Sequence, residues 1–341
     1  MATKTKDRVL DMLKASGSKY LSGQEMAEGL YVTRAAVWKA IKALQEEGYE
    51  IDAVNNRGYR LVEHDVLPDR ERIVEYILEQ DRKYNMNVDG PVRIFVYDEV
   101  ESTNDTAREY AQAHPGEFAV MIAGKQSKGR GRRGRSFFSP ANTGLYMSFI
   151  LYPDNDLDKV ELCTCMMAVA LCRAIEEITS VKVDIKWVND ICLDDKKIAG
   201  ILTEAVTSLE DGCISYVIVG VGINIYEPYG GFPLEIKKDA GVLLDAVNDE
   251  EVINKLAART IFNFYRIHHM EEHDYFLDEY IRRSMLVGKY IKIEQYTPKD
   301  EKKGNEYAYV TGIDDECHLL VRYDDGREVA LSSGEVSVAR Y

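Results

Sequence analysis

Residues 118–152, FAVMIAGKQSKGRGRRGRSFFSPANTGLYMSFILY, decide how the middle of this chain folds. The apolar runs FAVMIAG and LYMSFILY at the two ends are typical of buried strands. Between them lies GKQSKGRGRRGRSFFSP, residues 124–140, in which six of the first twelve residues are Lys or Arg. The pattern therefore predicts two strands joined by a basic, glycine-rich segment, which we call the basic loop.

The composition of the basic loop predicts that it binds an anion. Glycines let backbone N–H groups approach a ligand closely, and guanidinium groups bind phosphate or carboxylate through two hydrogen bonds. Gly129, Gly131 and Gly134 match the dinucleotide pattern G-x-G-x-x-G, but the loop leads into SFFSPANTG instead of a helix, which excludes that motif. A small-molecule site is favoured, and RNA binding by an arginine–glycine segment stays open as the alternative. We expect such a loop to be mobile when empty and ordered by its ligand.

Length and composition set the broad class. A chain of 341 residues predicts two or three domains, and 45% hydrophobic with 30% charged residues is typical of a globular protein. No apolar run reaches the roughly 18 to 20 residues that crossing a bilayer requires. The first residues, MATKTKDRVLDMLK, lack the apolar segment of a signal peptide, so we expect a cytoplasmic protein without a membrane partner. The six cysteines include no C-x-x-C pair, which predicts reduced thiols.

The first 63 residues predict a winged helix-turn-helix domain. A helical run, RVLDMLKA, precedes a capping box formed by Ser22 and Glu25, which starts a second helix. The third predicted helix, TRAAVWKAIKALQEEG, ends at Gly48 as its C-terminal cap. YEIDAVNNRGYRLV then predicts a two-stranded hairpin, the wing.

The third helix and the wing are candidate DNA-binding elements. Residues 1–62 carry a net charge of +2 in a chain whose net charge is −15. In a winged helix the third helix enters the major groove, and the wing contacts the flanking DNA. The predicted DNA-binding residues are Arg34, Ala35, Lys39 and Lys42 in the helix, with Arg57 and Arg60 in the wing. Because +2 is a small charge for a DNA-binding domain, a winged helix that mediates only protein contacts is the alternative.

The rest of the chain predicts two more domains, in a multidomain α+β protein. Residues 64–70, with Pro68 before a helix start, form a linker. Residues 71–284 interleave helices with strands and predict a mixed α/β domain whose sheet is not purely parallel. Residues 285–341 contain short strands separated by polar turns, the pattern of a small β-barrel.

Five motifs give the chain a resemblance to biotin protein ligases. They are EVESTNDTA at 99–107, Gln126 with GRGRRGRSFFSP, KWVND at 186–190, KIAGIL at 197–202 and GVGIN at 220–224. With the winged helix, the chain resembles the bifunctional bacterial form, which also represses biotin synthesis genes. The resemblance implies a catalytic domain related to class II aminoacyl-tRNA synthetases and a C-terminal SH3-like domain.

The resemblance also implies a reaction and its residues. Biotin and MgATP would give biotinyl-5′-AMP, and a lysine of a biotin carboxyl carrier domain would then take the biotin. Lys197, Arg132 and Asp190 would be catalytic, and no side-chain cluster would hold a metal because Mg²⁺ would come with ATP. The residues implied to bind biotin or the adenylate are Ser102, Thr103, Asn104, Gln126, Gly129, Arg130, Gly131, Arg132, Lys197, Gly200, Gly220 and Asn224, with Gly222 beside them.

Several alternatives and one departure accompany this interpretation. Val188 stands where the family usually has proline, which puts the rigidity of that turn in doubt. A biotin-sensing regulator with a dead ligase site and a lipoate ligase are the rival functions. His269, Glu272 and His273 match the zinc peptidase pattern H-x-x-E-H, but they continue a polar stretch, so we do not expect a metal there. The partners implied are the carrier domain, operator DNA and a second copy of the chain, with dimer formation promoted by biotinyl-AMP.

Overall fold

The structure is a computed structural model that describes residues 5–17, 19–46, 49, 51–54, 57–61, 67–84, 93–152, 157–207, 213–228, 231–247, 249–269, 273–296 and 302–339. The chain forms two compact units. The first comprises residues 1–65 with 244–250, and the second comprises residues 66–243 with 251–341. The domain limits predicted at 63/64, 70/71 and 284/285 stay predictions. None of the helices in the described ranges is long and apolar enough to cross a bilayer.

The first unit is a winged helix-turn-helix, as predicted. Helices α1 (Thr5–Ala15), α2 (Gly23–Leu30) and α3 (Arg34–Glu46) precede an antiparallel hairpin of β1 (Ile51–Val54) and β2 (Gly58–Leu61). The capping box is confirmed, since the Glu25 N–H donates to Ser22 Oγ and the Ser22 N–H donates to Glu25 Oε2. The Gly48 cap and the wing tip at 55–56 lie outside the described residues. Apolar side chains from all three helices form the core, including Leu13, Met26, Val37, Ile41 and Leu44.

A seven-stranded mixed sheet organises the second unit. Its strands are β3 (Arg93–Tyr97), β4 (Ala119–Ala123), β5 (Gly144–Leu151), β6 (Asp184–Lys186), β7 (Asp190–Leu193), β8 (Lys196–Thr207) and β9 (Ile214–Asn224). Their order across the sheet is β3-β4-β5-β9-β8-β7-β6. Only the β3–β4 pair is parallel among these strands. The mixed sheet predicted from the sequence is thus confirmed.

Helices cover both faces of this sheet. Helix α5 (Thr103–Ala113) packs Ala107 and Ala111 against Met121, Ile150 and Ile218 on one face. On the other face lie α6 (Leu157–Thr179) and α7 (Val252–His269), where the Phe149 and Phe264 rings meet edge to face at 5.2 Å. Helices α4 (Arg70–Tyr84) and α8 (His273–Arg282) complete the unit by packing on α7 and α6. The cysteines are free, and Cys163, Cys165 and Cys172 of α6 are buried.

A five-stranded antiparallel sheet follows α8, and we call it the C-terminal sheet. It consists of β10 (Tyr290–Tyr296), β11 (Lys302–Ile313), β12 (Leu319–Arg322), β13 (Glu328–Leu331) and β14 (Glu335–Val338), in the order β13-β12-β11-β10-β14. Buried side chains such as Ile291, Val310 and Leu319 form its core. Trp187, which is itself buried, donates its indole N–H to the Cys317 carbonyl at 2.8 Å. This hydrogen bond joins the C-terminal sheet to the turn before β7.

Candidate active site at the basic loop

Three of the predicted ligand-binding residues, Ser102, Thr103 and Asn104, lie at the start of α5, which packs on one face of the seven-stranded sheet. Ser102 is the N-cap of α5, and its side chain makes no capping hydrogen bond. Gln126 is the third residue of the basic loop, which follows β4 and brings Phe137 against Gly222 of β9 and Gly200 of β8. Ser102, Thr103 and Asn104 are all buried, although they are polar. Buried polar groups are retained where hydrogen bonds satisfy them, and such a network is present here.

The first part of the network joins α5 to the basic loop. The backbone N–H of Thr103 and its hydroxyl both donate to Gln126 Oε1, at 2.8 and 3.1 Å. The Gln126 amide donates in turn to Ser139 Oγ at 3.0 Å, at the far end of the loop. The side chain of Gln126 therefore closes the base of the loop and fixes it to the helix N-terminus.

The second part of the network centres on Glu204 of β8. Its Oε2 atom accepts from the Asn104 amide at 2.7 Å and from Arg130 of the basic loop at 2.9 Å. Arg130 also lies 2.9 Å from Asp105 Oδ1. Ser148 of β5, fully buried, lies 2.6 Å from Asn104 Oδ1. Asn104 is consequently held from both sides, and the Arg130 guanidinium is aimed by two carboxylates.

Glycines of β9 and β8 leave room for these side chains above the sheet. A Cβ at Gly220 would lie 2.2 Å from Asn104 Oδ1, and a Cβ at Gly222 would lie 2.5 Å from the Phe137 ring. The same ring lies 3.5 Å from the Cβ position of Gly200. Neither Gly220 nor Gly222 could carry a side chain without displacing a group of the site, so the glycines are required for close approach.

A second cluster of charged groups surrounds the hairpin of β7 and β8. Lys197 Nζ lies 2.6 Å from Asp190 Oδ1. Arg132 of the basic loop donates to Asn189 Oδ1 at 3.0 Å, and Asn189 donates to the Ile201 carbonyl at 2.9 Å. Asn224 donates to the Gly241 carbonyl at 3.2 Å, and the Gly241 N–H donates to the Lys197 carbonyl. All three predicted catalytic residues, Lys197, Arg132 and Asp190, are thus brought to one region.

The turn that carries Val188 has an unusual backbone. The Trp187–Val188 peptide bond is cis, at the position where the resemblance predicts proline. The Val188 carbonyl accepts a hydrogen bond from the Tyr280 hydroxyl of α8 at 3.0 Å. Trp187 is a core residue, and it contacts the chain between β11 and β12 through the Cys317 carbonyl.

The C-terminal sheet also contacts the basic loop. Arg135 donates to Glu335 Oε2 at 2.7 Å, and Arg133 Nε lies 3.9 Å from Glu335 Oε1. Glu335 is the first residue of β14, and its side chain is mostly buried. The loop is therefore tied at its base by Gln126 and on its far side by Glu335.

The predicted DNA-binding residues lie in the first unit. Arg34, Ala35, Lys39 and Lys42 are all exposed on α3. Arg57, just before β2, is exposed as well. Arg60 is half-buried, stacks on the Tyr20 ring at 5.0 Å and pairs with Asp52 at 3.1 Å, which leaves it less free to reach DNA.

Among the described residues, one group has the spacing of possible metal ligands. It comprises Asp314, Glu316 and His318, between β11 and β12 of the C-terminal sheet. His318 Nδ1 lies 3.1 Å from Asp314 Oδ2, so these two side chains already satisfy each other. The H-x-x-E-H pattern includes Glu272, which lies outside the described residues.

Comparisons with known proteins follow the same division of the chain. A model of the biotin/lipoate A/B protein ligase family matches residues 96–224, a helix-turn-helix model matches 5–60, and a biotin protein ligase C-terminal domain model matches 303–338. The bifunctional ligase/repressor BirA of Bacillus subtilis is 33% identical over 93% of this chain and 94% of its own. This chain belongs to the bifunctional ligase/repressor family.

A second curated relative and a solved structure are also similar to this chain. BirA of Escherichia coli is 30% identical over 62% of this chain and 61% of its own. The structure of the Aquifex aeolicus biotin protein ligase, in complex with biotin and ATP, matches with a TM-score of 0.56 and 27% identity. That match covers 73% of this chain and 99% of the Aquifex chain.

Sequence reasoning missed several residues of the site. Glu204, Ser148 and Asn189 were not singled out, although Asn189 stands within the KWVND motif. No motif distinguishes Phe137 from the rest of the basic loop. Glu335 lies 200 residues from Arg135, and nothing local to it indicates a role in the loop. A polar residue inside an apolar strand, such as Ser148 in LYMSFILY, is the one signal that pattern analysis could have used.

Proposed function

We propose that this chain is a biotin protein ligase that also represses biotin synthesis genes. It joins biotin to ATP as biotinyl-5′-AMP, releasing pyrophosphate, and transfers the biotinyl group to a lysine of a biotin carboxyl carrier domain. The observation that carries the proposal is the set of cations held on β8 and on the turn before β7: Arg130 pairs with Glu204, Arg132 donates to Asn189, and Lys197 pairs with Asp190 against Gly200.

The charges of the site suit the first half of the reaction. The carboxylate oxygen of biotin attacks the α-phosphorus, and the bond to pyrophosphate breaks, so two anionic groups have to approach each other. Positive side chains placed around the reacting atoms reduce that repulsion and stabilise the charge of the transition state. Arg132 and Lys197 supply this charge. The Asp190 carboxylate, with Oδ1 at 2.6 Å from Lys197 Nζ, holds the ammonium group in place.

The polar network suits the recognition of biotin. Gln126 holds Thr103, and Ser148 bonds to both Thr103 and Asn104, so these side chains have fixed positions. Hydrogen-bonding groups that are already oriented lose little entropy on binding. Arg130, directed by Glu204, would place the loop over the ligand. A closed loop excludes water from a mixed anhydride that water would hydrolyse.

The same site would serve the transfer step. The amine nitrogen of the acceptor lysine attacks the carbonyl carbon of the adenylate, and AMP leaves with the bonding electron pair. We propose that Asp190 accepts the proton released from that amine. Mg²⁺ would arrive with the phosphates of ATP, consistent with a donor set at the loop that is mainly cationic.

The winged helix supports the repressor half of the proposal. We infer that the DNA-bound form is a homodimer, since a single winged helix reads only a short half-site, and that biotinyl-AMP promotes the dimer by ordering the basic loop. We also propose that the central domain is related to class II aminoacyl-tRNA synthetases and that the C-terminal sheet is an SH3-like barrel. Location in the cytoplasm stays a prediction. A dead ligase is not favoured, since the phosphate-side charges are all present.

Transfer of biotin to a purified carrier domain tests the ligase. We expect Lys197→Ala to lower transfer at least a hundredfold, since one electrostatic donor at a transition state is worth about 10² to 10³ in kcat. Radiolabelled biotin, supplied with MgATP, gives the readout. Lys196→Ala is the matched control, because Lys196 is exposed and its ammonium group bonds to the Lys238 carbonyl outside the site.

Two results would contradict the proposal. If the wild type binds biotin but releases no pyrophosphate, the chain is a sensor without ligase activity. If Lys197→Ala and Lys196→Ala lose biotin transfer equally, the transfer depends on the total positive charge of this hairpin, and Lys197 has no specific role in it.

A further inference from the structure

Helix α3 exposes a large aromatic side chain in the middle of its charged face. Trp38 is 53% exposed, while Val37, Ala40, Ile41 and Leu44 of the same helix are buried in the core. The packing of those four residues fixes which side of α3 faces outward. Trp38 is therefore presented at the surface by the fold of the first unit.

Three exposed neighbours of Trp38 on this face are cationic, and exposed Ala35 lies among them. Arg34 and Lys42 stand four residues before and after it, so the three side chains form one row along the helix. Lys39 lies beside the row, and all of these side chains are exposed. Trp38 and the cations near it complement a surface that has anionic groups at its edges and an apolar group between them.

The major groove of DNA is such a surface. Phosphates line its two edges, and the apolar group that a base presents in it is the C5-methyl of thymine. Arg34 and Lys42 in the row and Lys39 beside it would bind phosphates, contacts that carry no sequence information. Trp38 has a large apolar face and a single hydrogen-bond donor, so it suits contact with a methyl group better than paired hydrogen bonds to guanine or adenine.

We propose that Trp38 determines sequence specificity by packing against a thymine methyl in the major groove. This inference rests on the proposed repressor function and names the base contact within it. The contact of Trp38 differs from those expected of Arg34, Lys39 and Lys42. Loss of the Trp38 contact would change which DNA sequences are bound, and not only the affinity for DNA.

The test uses the full chain with biotin and ATP. A duplex is first selected from a random-sequence library by the wild type, and each of its thymines is then replaced by deoxyuridine, which removes only the methyl. We expect one or two replacements to weaken wild-type binding about tenfold in fluorescence anisotropy. Trp38→Ala should bind the selected duplex about tenfold more weakly and should not respond to deoxyuridine.

Two further variants keep the test sharp. Trp38→Phe retains an apolar face and should keep most of the response to the methyl. Leu78→Ala removes a similarly exposed apolar side chain, 47% exposed on α4, and should bind DNA as the wild type does. Thermal unfolding of each variant by circular dichroism confirms that the fold is kept.

The outcomes separate this inference from the function on which it rests. If the wild type selects no sequence, the repressor function and the inference both fail. If the wild type selects a sequence and Trp38→Ala binds it equally well or responds equally to deoxyuridine, only the inference fails. If Trp38→Ala instead changes the monomer–dimer balance without DNA, Trp38 contacts a second copy of the chain, which also overturns the inference.

Discussion

At the scale of single residues, Glu204 shows how the site is organised. Its carboxylate accepts from Asn104 of α5 and from Arg130 of the basic loop, so one side chain positions groups from two different elements. Hydrogen bonds with a charged partner are worth about 1.5 to 3 kcal/mol each. The carboxylate therefore supports the geometry of the site even if it never touches a substrate.

The close approach of Gly220 to Asn104 gives a prediction for one residue. Gly220→Ala would put a Cβ 2.2 Å from Asn104 Oδ1, so the amide has to move and lose its contacts with Ser148 and Glu204. We expect biotin affinity in isothermal titration calorimetry to fall at least tenfold. Gly312→Ala is the control, since the nearest atom to its Cβ is 3.8 Å away. Unchanged biotin affinity in Gly220→Ala would show that Asn104 does not bind biotin.

At the scale of elements, the contact between β14 and the basic loop gives a second prediction. Glu335→Gln removes the charge that holds Arg135 at 2.7 Å, so residues 129–137 should exchange their amide hydrogens several-fold faster. Hydrogen exchange followed by mass spectrometry measures this. Glu328→Gln breaks an exposed ion pair with Arg322 in the same sheet and should leave the loop unaffected.

The charge swap Arg135→Glu with Glu335→Arg separates a direct contact from general damage. It should restore slow exchange if the two side chains act as a pair. Equal exchange in the single variant and the wild type would mean that the loop does not depend on the C-terminal sheet.

An ion-pair network between α6 and α8 predicts a dependence of stability on pH. Arg283 donates to Glu176 and to Glu279, with N–O distances of 2.6 to 2.9 Å. The hydrogen bond from Arg283 lowers the pKa of Glu176. Burial alone would raise the pKa of Glu279, but hydrogen bonds from Arg173 and Arg283 lower it below its usual value. Such carboxylates stabilise the fold above the unfolded-state pKa of about 4.3, and the contribution is lost as pH falls through the lowered folded-state pKa.

Urea unfolding of Arg283→Met checks this network. Removing one partner of a largely buried pair costs about 3 to 5 kcal/mol, so the variant should be less stable at pH 7 and should lose less stability on acidification than the wild type. Arg327→Met, whose pair with Asp325 is exposed, is the control. If Arg283→Met lowers the free energy of unfolding equally at neutral and at acid pH, the expected role of the carboxylates is contradicted.

Local signals in the sequence predicted the elements, and distance along the chain limited the prediction of the site. The capping box of α2 and the apolar strands around the basic loop depend on residues a few positions apart. The partners of Asn104 are 44 and 100 residues away, at Ser148 and Glu204. Periodicity carries no record of such pairs, because the packing of α5 on the sheet brings them together. The resemblance predicts roles for Lys197 and Asp190 but carries no information on Glu204 and Glu335, which bond to arginines of the basic loop.

At the scale of the whole molecule, the proposed function predicts a monomer–dimer equilibrium that depends on the adenylate. We expect sedimentation to show a shift from monomer to dimer when biotinyl-AMP is added, because ordering the basic loop would lower the entropic cost of association. Biotin alone should shift the balance less. Gly220→Ala, with impaired ligand binding, should not shift under the same conditions. An unchanged balance in the wild type would show that the adenylate does not control assembly.

The ion pair between Arg135 and Glu335 also has a consequence for synthesis of the chain. The two residues are 200 positions apart, and ribosomes add about 5 to 20 residues per second. Roughly 10 to 40 seconds therefore pass between translation of the basic loop and translation of its anchor. A nascent chain can complete the seven-stranded sheet in that interval, yet its loop acquires its last attachment only when β14 is made. The newly made enzyme should thus gain the ability to retain the adenylate later than it gains the fold that forms it.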